Sequence, residues 1–255
     1  MSAPAKWVET LTKTSSPVSG ALISAVLLFS AGPAVSEPKA VLELFTSQGC
    51  SSCPPADKVI GEYAERGDVL ALSFNVDYWD YLGWKDTLAN SDNSERQRAY
   101  ANARGDRQVY TPQIVVNGVE HVVGSNRSAV AAALKRDSGL PVSIELAEND
   151  DSITVMVDRN GTEIGRATLW LVIYENKVTV PIERGENTGK KVTYTNVVRK
   201  VRPIAMWSGG EMSVDLPKSE MTKANAKRCA VILQRETDAG LPGQVLGAAM
   251  LDLET

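Results

Sequence analysis

Apolar positions in the first half of the chain alternate between continuous runs and helical spacing. Two runs, Ala40 to Phe45 (broken only by Glu43) and Val69 to Val76, are typical of strands that a parallel sheet buries on both faces. Between them, apolar residues recur at i, i+3, i+4 and i+7, which marks one face of a helix: Ala56, Val59, Ile60 and Tyr63. The pattern therefore predicts a βαβ unit.

Further elements are predicted up to residue 135. Asn117-Gly118 separates two short apolar runs, Ile114 to Val116 and Val119 to Val123, as expected for a hairpin with a type I′ turn. A helix is predicted on each side of this hairpin. One runs from Asp92 to Ala103 and begins at a capping box, and the other is capped by Ser125 or Asn126 and runs to Lys135.

After about residue 140 the helical spacing disappears and short strand-like segments follow one another. Turn residues separate seven of them: Val142–Leu146, Ile153–Val157, Ala167–Tyr174, Val192–Val198, Met212–Leu216, Cys229–Leu233 and Val245–Leu251. Strands without intervening helices favour a β-sandwich. We therefore predict an α/β domain over residues 37–140, followed by an all-β, sandwich-like domain over residues 141–255.

The first 36 residues have the composition of a secretory signal. Lys6 and Lys13 precede an uncharged apolar segment, Val18 to Ala31, and Ala34 and Ser36 have the spacing of a cleavage site. The apolar segment is shorter than the roughly 20 residues that span a bilayer, which disfavours an uncleaved anchor. We predict that residues 1–36 are removed and that the protein is periplasmic or secreted, with no membrane association after cleavage.

Charge and motifs exclude several classes of function. The formal net charge is −4 and no basic run is present, so nothing favours binding to nucleic acid. The chain contains no glycine-rich phosphate loop and no serine–histidine–acid set. The candidate chemistry is therefore that of the cysteines.

Cys50 and Cys53 form a C-x-x-C between the first predicted strand and its helix. A helix N-terminus stabilises a thiolate at the first cysteine, and the second lies close enough to close a disulfide. So short a loop stabilises the fold by only about 2 kcal/mol, which favours a chemical role over a structural one. A purely structural disulfide remains an alternative.

Metal binding is a further alternative for the same two cysteines. The remaining cysteine, Cys229, lies in a predicted buried strand and is expected to be a small core residue. Zinc requires four ligands, whereas the chain offers one close pair, Cys229 and the single histidine, His121. Copper(I) accepts two thiolates, so that a copper carrier stays open as an alternative. We predict no metal and no cofactor beyond a redox-active Cys50–Cys53 disulfide.

Five segments carry a resemblance to a known family: Leu44 to Asp57 (LFTSQGCSSCPPAD), Asn75 to Asp80 (NVDYWD), Tyr110 to Gly118 (YTPQIVVNG), Arg184 to Asn187 (RGEN) and Asn196 to Arg199 (NVVR). The chain resembles secreted bacterial proteins of unknown function whose N-terminal domain is thioredoxin-like. The resemblance implies a thioredoxin-like fold for residues 37–140. It also implies that Cys50 attacks, that Cys53 resolves, and that Thr111-Pro112 forms a cis peptide facing them.

One position departs from the thioredoxin pattern. Thioredoxins bury an acid six residues before the first cysteine, as proton acceptor for the second thiol, and Leu44 stands there in this chain. Glu43 is adjacent, but successive strand residues point to opposite faces. Either the strand register shifts, Asp77 substitutes, or deprotonation of Cys53 is poorly assisted.

Two other segments have both a functional and a structural interpretation. Tyr78, Trp79, Tyr81 and Trp84 follow the second strand and are candidates for substrate binding, because aromatic residues dominate docking surfaces. They would otherwise form a small core under a long connection. The charged loop from Arg184 to Lys191 contacts a partner or the first domain, or is a solvated hairpin loop, which is the interpretation we favour.

The sequence thus predicts an exported protein that exchanges thiols and disulfides with protein or small-molecule clients, a possible thiol–disulfide oxidoreductase. The alternative is a non-enzymatic binding module with a structural disulfide.

Overall fold

The computed structural model describes residues 35–137, 139–159, 165–222 and 228–253. These residues contain twelve strands and four α-helices. The signal peptide predicted over residues 1–36 lies almost entirely outside them. The strands are β1 (Val35–Ser36), β2 (Val41–Thr46), β3 (Leu70–Asn75), β4 (Gln113–Val116), β5 (Glu120–Val123), β6 (Ile144–Glu148), β7 (Ser152–Val157), β8 (Ala167–Pro181), β9 (Lys191–Trp207), β10 (Met212–Pro217), β11 (Arg228–Glu236) and β12 (Pro242–Asp252). The helices are α1 (Pro54–Arg66), α2 (Ser91–Arg104), α3 (Arg127–Arg136) and α4 (Ser219–Thr222).

One mixed sheet of nine strands dominates the structure, in the order β1-β12-β11-β8-β9-β3-β2-β4-β5. Its two halves join where β3 pairs with β9 in parallel, with Ser73 opposite Val197. Side chains reinforce this short pairing. The Ser73 hydroxyl donates to the Thr195 carbonyl at 2.7 Å, and the Asn196 amide donates to the Ala71 carbonyl at 2.8 Å. The buried polar residues of β3 and β9 thus hold the sheet together across its centre.

The predicted fold class, an α/β thioredoxin-like domain followed by a β-sandwich, was wrong. The described residues are mostly β, and strands from both predicted domains belong to the same nine-stranded sheet. The physical reason is that β9 is buried from Tyr194 to Val198, so that it lies in the interior of the sheet beside β3. The described residues accordingly all belong to one compact unit, while the boundary placed at residue 140 stays a prediction.

Helices cover both faces of β2, β3 and β4. On one face, Leu42 and Leu44 pack against Ala56 and Ile60 of α1, together with residues of α3. On the other face, α2 contributes Tyr100 to a cluster that spans both halves of the chain: Val41, Phe45, Leu70, Leu72, Phe74, Val172, Tyr174, Val198, Ala230 and Ile232. The alternation of side chains along β2 therefore directs Leu44 towards α1 and α3 and Phe45 towards α2.

A second sheet, in the order β10-β7-β6, packs on β8, β11 and β12. Cys229 lies in the core between them and is 1% exposed. Burial raises the pKa of its thiol to about 12, so it stays protonated at neutral pH. The expectation that Cys229 is a small core residue is confirmed.

The β4–β5 turn and the cap of α3 agree with the sequence, whereas the cap of α2 does not. Asn117 (φ 45°) and Gly118 (φ 73°) both adopt the left-handed conformation that a type I′ hairpin requires, which confirms the turn between β4 and β5. Asn126 caps α3 as predicted, through its side chain and the Ala129 amide. The capping box at Asp92 was wrong, because Asn90 caps α2 one residue before its first turn.

Candidate disulfide site

Cys50 and Cys53 form a disulfide in the short connection between β2 and α1. Their Cα atoms are 5.4 Å apart, and Cys53 is the residue that caps α1. Cys50 is 2% exposed and Cys53 is fully buried, whereas Ser51 and Ser52 between them are exposed. Of the two sulfur-bearing residues, Cys50 therefore lies nearer to solvent.

The local geometry suits a thiolate at Cys50 once the disulfide is reduced. The Cys50 sulfur lies 3.4 Å from the Ser52 hydroxyl, which can donate to it. The backbone amides of Ala56 and Asp57 donate to the Cys53 carbonyl, at 2.8 and 3.1 Å, and begin the helix immediately after the pair. The partial positive charge of this helix end favours a negative sulfur.

Thr111-Pro112 is a cis peptide bond, as the resemblance implied. Trp79 connects it to the disulfide loop. The Trp79 indole donates to the Thr111 hydroxyl at 2.8 Å, and a β-carbon on Gly49 would lie 3.0 Å from that of Trp79. The structure thus brings the loop of Cys50, the aromatic segment and the Thr111-Pro112 turn together.

The four aromatic residues of that segment differ in what they contact. The Trp84 indole donates to the Gln48 side chain at 2.8 Å, and the Tyr78 hydroxyl donates to the Gln97 side chain at 3.1 Å. Tyr81, on a single 3₁₀ turn from Asp80 to Leu82, is 78% exposed. Trp79, Trp84 and Tyr78 are partly exposed and hydrogen-bonded to neighbouring residues, and Tyr81 is the most exposed of the four.

The loop between β8 and β9 is hydrogen-bonded to the backbone of the Cys50 loop. Asn187 is 1% exposed, and its amide donates to the carbonyls of Gln48 and Cys50, at 2.9 and 2.8 Å. Lys190 in turn donates to the Asn187 side-chain oxygen at 2.8 Å. The interpretation of this loop as merely solvated was wrong, because a buried asparagine fixes it to the Cys50 backbone.

We expect Asn187→Ala to lower the free energy of unfolding of the oxidised protein by about 2 kcal/mol, since two buried carbonyls lose their donor. Urea unfolding followed by tryptophan fluorescence measures this loss. Thr188→Ala, in the same loop and exposed, is the matched control. An unchanged midpoint in Asn187→Ala would contradict a structural link between the loop and Cys50.

Comparisons with known proteins place this site in a family. Residues 41–234 match a family model described as protein of unknown function (DUF1223). The chain belongs to the DUF1223 family. The matched range contains the disulfide, the Thr111-Pro112 turn and Asn187. The sequence motifs indicated a family of unknown function, and the match confirms this.

Two solved structures are similar to this DUF1223 chain. A protein from Agrobacterium tumefaciens is 38% identical, with a TM-score of 0.77 over 85% of this chain and 95% of that one. HBP35 of Porphyromonas gingivalis is 13% identical, with a TM-score of 0.62 over 86% of this chain and 76% of that one, and shows the fold alone. No curated protein matches the chain.

Neither Glu43 nor Asp77 replaces the buried acid that thioredoxins have at the position of Leu44. Glu43 forms an ion pair with Arg96 of α2, at 2.7 Å. Asp77 accepts a hydrogen bond from the Ser94 hydroxyl at 2.6 Å, also on α2. Both acids are engaged by α2, whereas Leu44 packs towards α1.

Asp57 is the buried acid on the α1 side, and sequence analysis missed it. Its Oδ1 accepts from the Thr46 hydroxyl at 2.8 Å, and its Oδ2 is buried without a hydrogen-bond partner. Burial, with a smaller contribution from the nearby Asp86 carboxylate, raises the pKa of Asp57 to about 8 despite the Thr46 hydrogen bond. The spacing could have revealed it, because Asp57 lies four residues after Cys53 and next to Ala56 on the buried face of α1.

The histidine considered as a metal ligand makes structural contacts instead. The His121 ring nitrogens lie 2.8 Å from the Tyr110 hydroxyl and 3.0 Å from an Asp106 oxygen. Across the residues that the structure describes, no group of three or more histidine, cysteine, aspartate and glutamate side chains is placed to hold a metal ion. Nor is any described helix long and apolar enough to cross a membrane.

Proposed function

We propose that this protein exchanges thiols and disulfides with exported protein or small-molecule clients, with Cys50 as the nucleophile and Cys53 as the resolving thiol. The observation that carries the proposal is the position of the pair: a disulfide between a strand end and a helix N-terminus, with the less buried cysteine first in sequence. The connection through Trp79 to Thr111-Pro112 supplies a second wall to the site.

In the oxidising direction, a client thiolate attacks the Cys50 sulfur and breaks the Cys50–Cys53 bond, and the electron pair goes to Cys53. A second client thiolate then attacks the client sulfur of the mixed disulfide and releases Cys50. In the reducing direction Cys50 attacks a client disulfide, and Cys53 then displaces the client. Ser52 and the N-terminus of α1 both favour the Cys50 thiolate that each direction uses.

Clients are proposed to contact the exposed Tyr81 and the rim formed by Ser51 and Ser52. Tyr81 offers a large apolar surface with few internal degrees of freedom, as binding surfaces commonly do. Trp79, Trp84 and Tyr78 act by shaping the rim, since their polar atoms are already bonded within the protein. The periplasm or the extracellular space supplies the disulfide-bonded clients that this chemistry needs.

The test is a trapping experiment in cells that export the protein. In Cys53→Ser the mixed disulfide at Cys50 cannot be resolved, so we expect adducts that a non-reducing gel shows and that a reductant removes. Cys50→Ser should form none, and Cys229→Ala should behave as wild type, because Cys229 is buried away from the site.

A binding module with a structural disulfide is the second candidate, favoured by the near-complete burial of both cysteines. It predicts no adducts in Cys53→Ser and a reduction potential below about −300 mV, where glutathione does not reduce the bond. Those two results together would contradict thiol–disulfide exchange and favour the binding module.

A further inference from the structure

A buried carboxyl, that of Asp57, lies one helical turn after the resolving cysteine. Asp57 follows Cys53 by four residues on α1, and its backbone amide donates to the Cys53 carbonyl at 3.1 Å. Residues at this spacing share a helix face, with β-carbons roughly 5–6 Å apart. Asp57 and Cys53 are both buried, so that neither side chain exchanges protons freely with water.

The carboxyl is held in place but is not fully satisfied. The Thr46 hydroxyl fixes Oδ1, and Oδ2 has no hydrogen-bond partner although it is buried. Such an orphaned oxygen is costly, and it is the atom on which a transferred proton would reside. The other titratable groups that face Asp57 are Asp86, from the connection before α2, and Tyr194 of β9. None of these groups is a cation, so the Thr46 hydroxyl alone favours the carboxylate against its burial.

We propose that Asp57 exchanges a proton with Cys53, and that one proton is shared between the two residues through the redox cycle. This inference rests on the proposed thiol–disulfide exchange. In the oxidised protein the proton is on Asp57. Its raised pKa, about 8, agrees with a neutral carboxyl at pH 7.

The proton moves from Asp57 to Cys53 when the disulfide opens and returns when it closes. When a client thiolate breaks the Cys50–Cys53 bond, the electron pair arrives on the Cys53 sulfur and Asp57 protonates it, becoming a carboxylate. In the reverse direction the carboxylate takes the proton back from the Cys53 thiol. The thiolate then attacks the Cys50 sulfur of a mixed disulfide, the Cys50–Cys53 bond forms, and the client sulfur leaves as a thiolate.

Reoxidation of the reduced protein by oxidised glutathione proceeds through two steps that can be measured separately, one at Cys50 and one at Cys53. Attack of Cys50 on oxidised glutathione gives a glutathionylated protein, which mass spectrometry detects, and attack of Cys53 then removes the glutathione. We expect Asp57→Asn to slow the second step about 100-fold at pH 7, a typical contribution of general acid–base catalysis. The first step should change less than about threefold, since it depends on Cys50. The adduct should therefore accumulate in the variant.

The pH profile provides a readout that a structural defect would not imitate. In Asp57→Asn the second step should rise steadily with pH, as the Cys53 thiol must ionise directly, and adding pH 9 buffer should restore most of the rate. Glu65→Gln, an exposed acid of the same helix, is the control and should match wild type. An unchanged second step in Asp57→Asn would overturn the role of Asp57 while leaving the exchange function intact. No glutathionylated adduct in Cys53→Ser would instead overturn the exchange function itself.

Discussion

Replacing Glu43 by alanine is expected to lower the free energy of unfolding by about 3–5 kcal/mol. Its carboxylate is 2% exposed and accepts from Arg96 at 2.7 and 2.9 Å and from the Tyr100 hydroxyl at 3.0 Å. Without it, Arg96 remains above the Phe74 and Tyr100 rings, with 11% of its side chain exposed, as a cation without an ion-pair partner. The cost of that uncompensated charge is larger than that of any single hydrogen bond in the group.

Urea unfolding at pH 7 measures this effect. Arg96→Met should cost a similar amount, because it leaves Glu43 unpaired. The double variant Glu43→Leu, Arg96→Met should recover much of the loss, since a buried pair can be replaced by apolar residues. Lys177→Ala breaks an ion pair whose side chains are 52% and 66% exposed, and should change stability by less than about 0.5 kcal/mol. A loss below about 1 kcal/mol in Glu43→Ala would show that Arg96 finds water or another partner.

The stability of the oxidised protein is expected to fall as the pH rises, and Asp57→Asn should remove much of this slope. The pKa of Asp57 is raised by burial from 3.8 to about 8. Between these values the folded protein holds a proton that the unfolded chain has lost. Stabilisation is therefore complete below about pH 4 and declines by about 1.4 kcal/mol per pH unit until about pH 8.

The unfolding free energies of wild type and Asp57→Asn are compared at each pH. Asparagine keeps the Thr46 hydrogen bond but cannot ionise. The gap in unfolding free energy between Asp57→Asn and wild type should widen by several kcal/mol in favour of the variant from pH 5 to pH 8. Chemical unfolding at four pH values measures it, and groups common to both proteins cancel. A gap that does not change with pH would show that Asp57 titrates normally.

Much of the local structure could be predicted from short stretches of sequence. Asn117-Gly118 specifies its hairpin because both residues tolerate positive φ. The apolar spacing of α1 specifies its buried face, and Cys50 and Cys53 follow from their position before it. These features depend on neighbours within a few residues.

The fold class could not be predicted in the same way. The apolar stretch of β9 fits equally well in a separate sandwich or beside β3, and only the pairing of Ser73 with Val197 decides between them. That pairing depends on buried polar contacts between distant segments, such as the hydrogen bond from Asn196 to Ala71. A contact of the loop from Arg184 to Lys191 with the first domain was one alternative, but nothing near Asn187 in sequence indicates that its amide binds the Cys50 carbonyl.

The loop that covers Cys50 is synthesised well after the cysteine pair. Asn187 is 137 residues later in the chain than the carbonyl it binds. At about 5–20 residues per second, translation produces Asn187 on the order of ten seconds after Cys50. A newly made chain therefore carries an uncovered cysteine pair before it carries its cover.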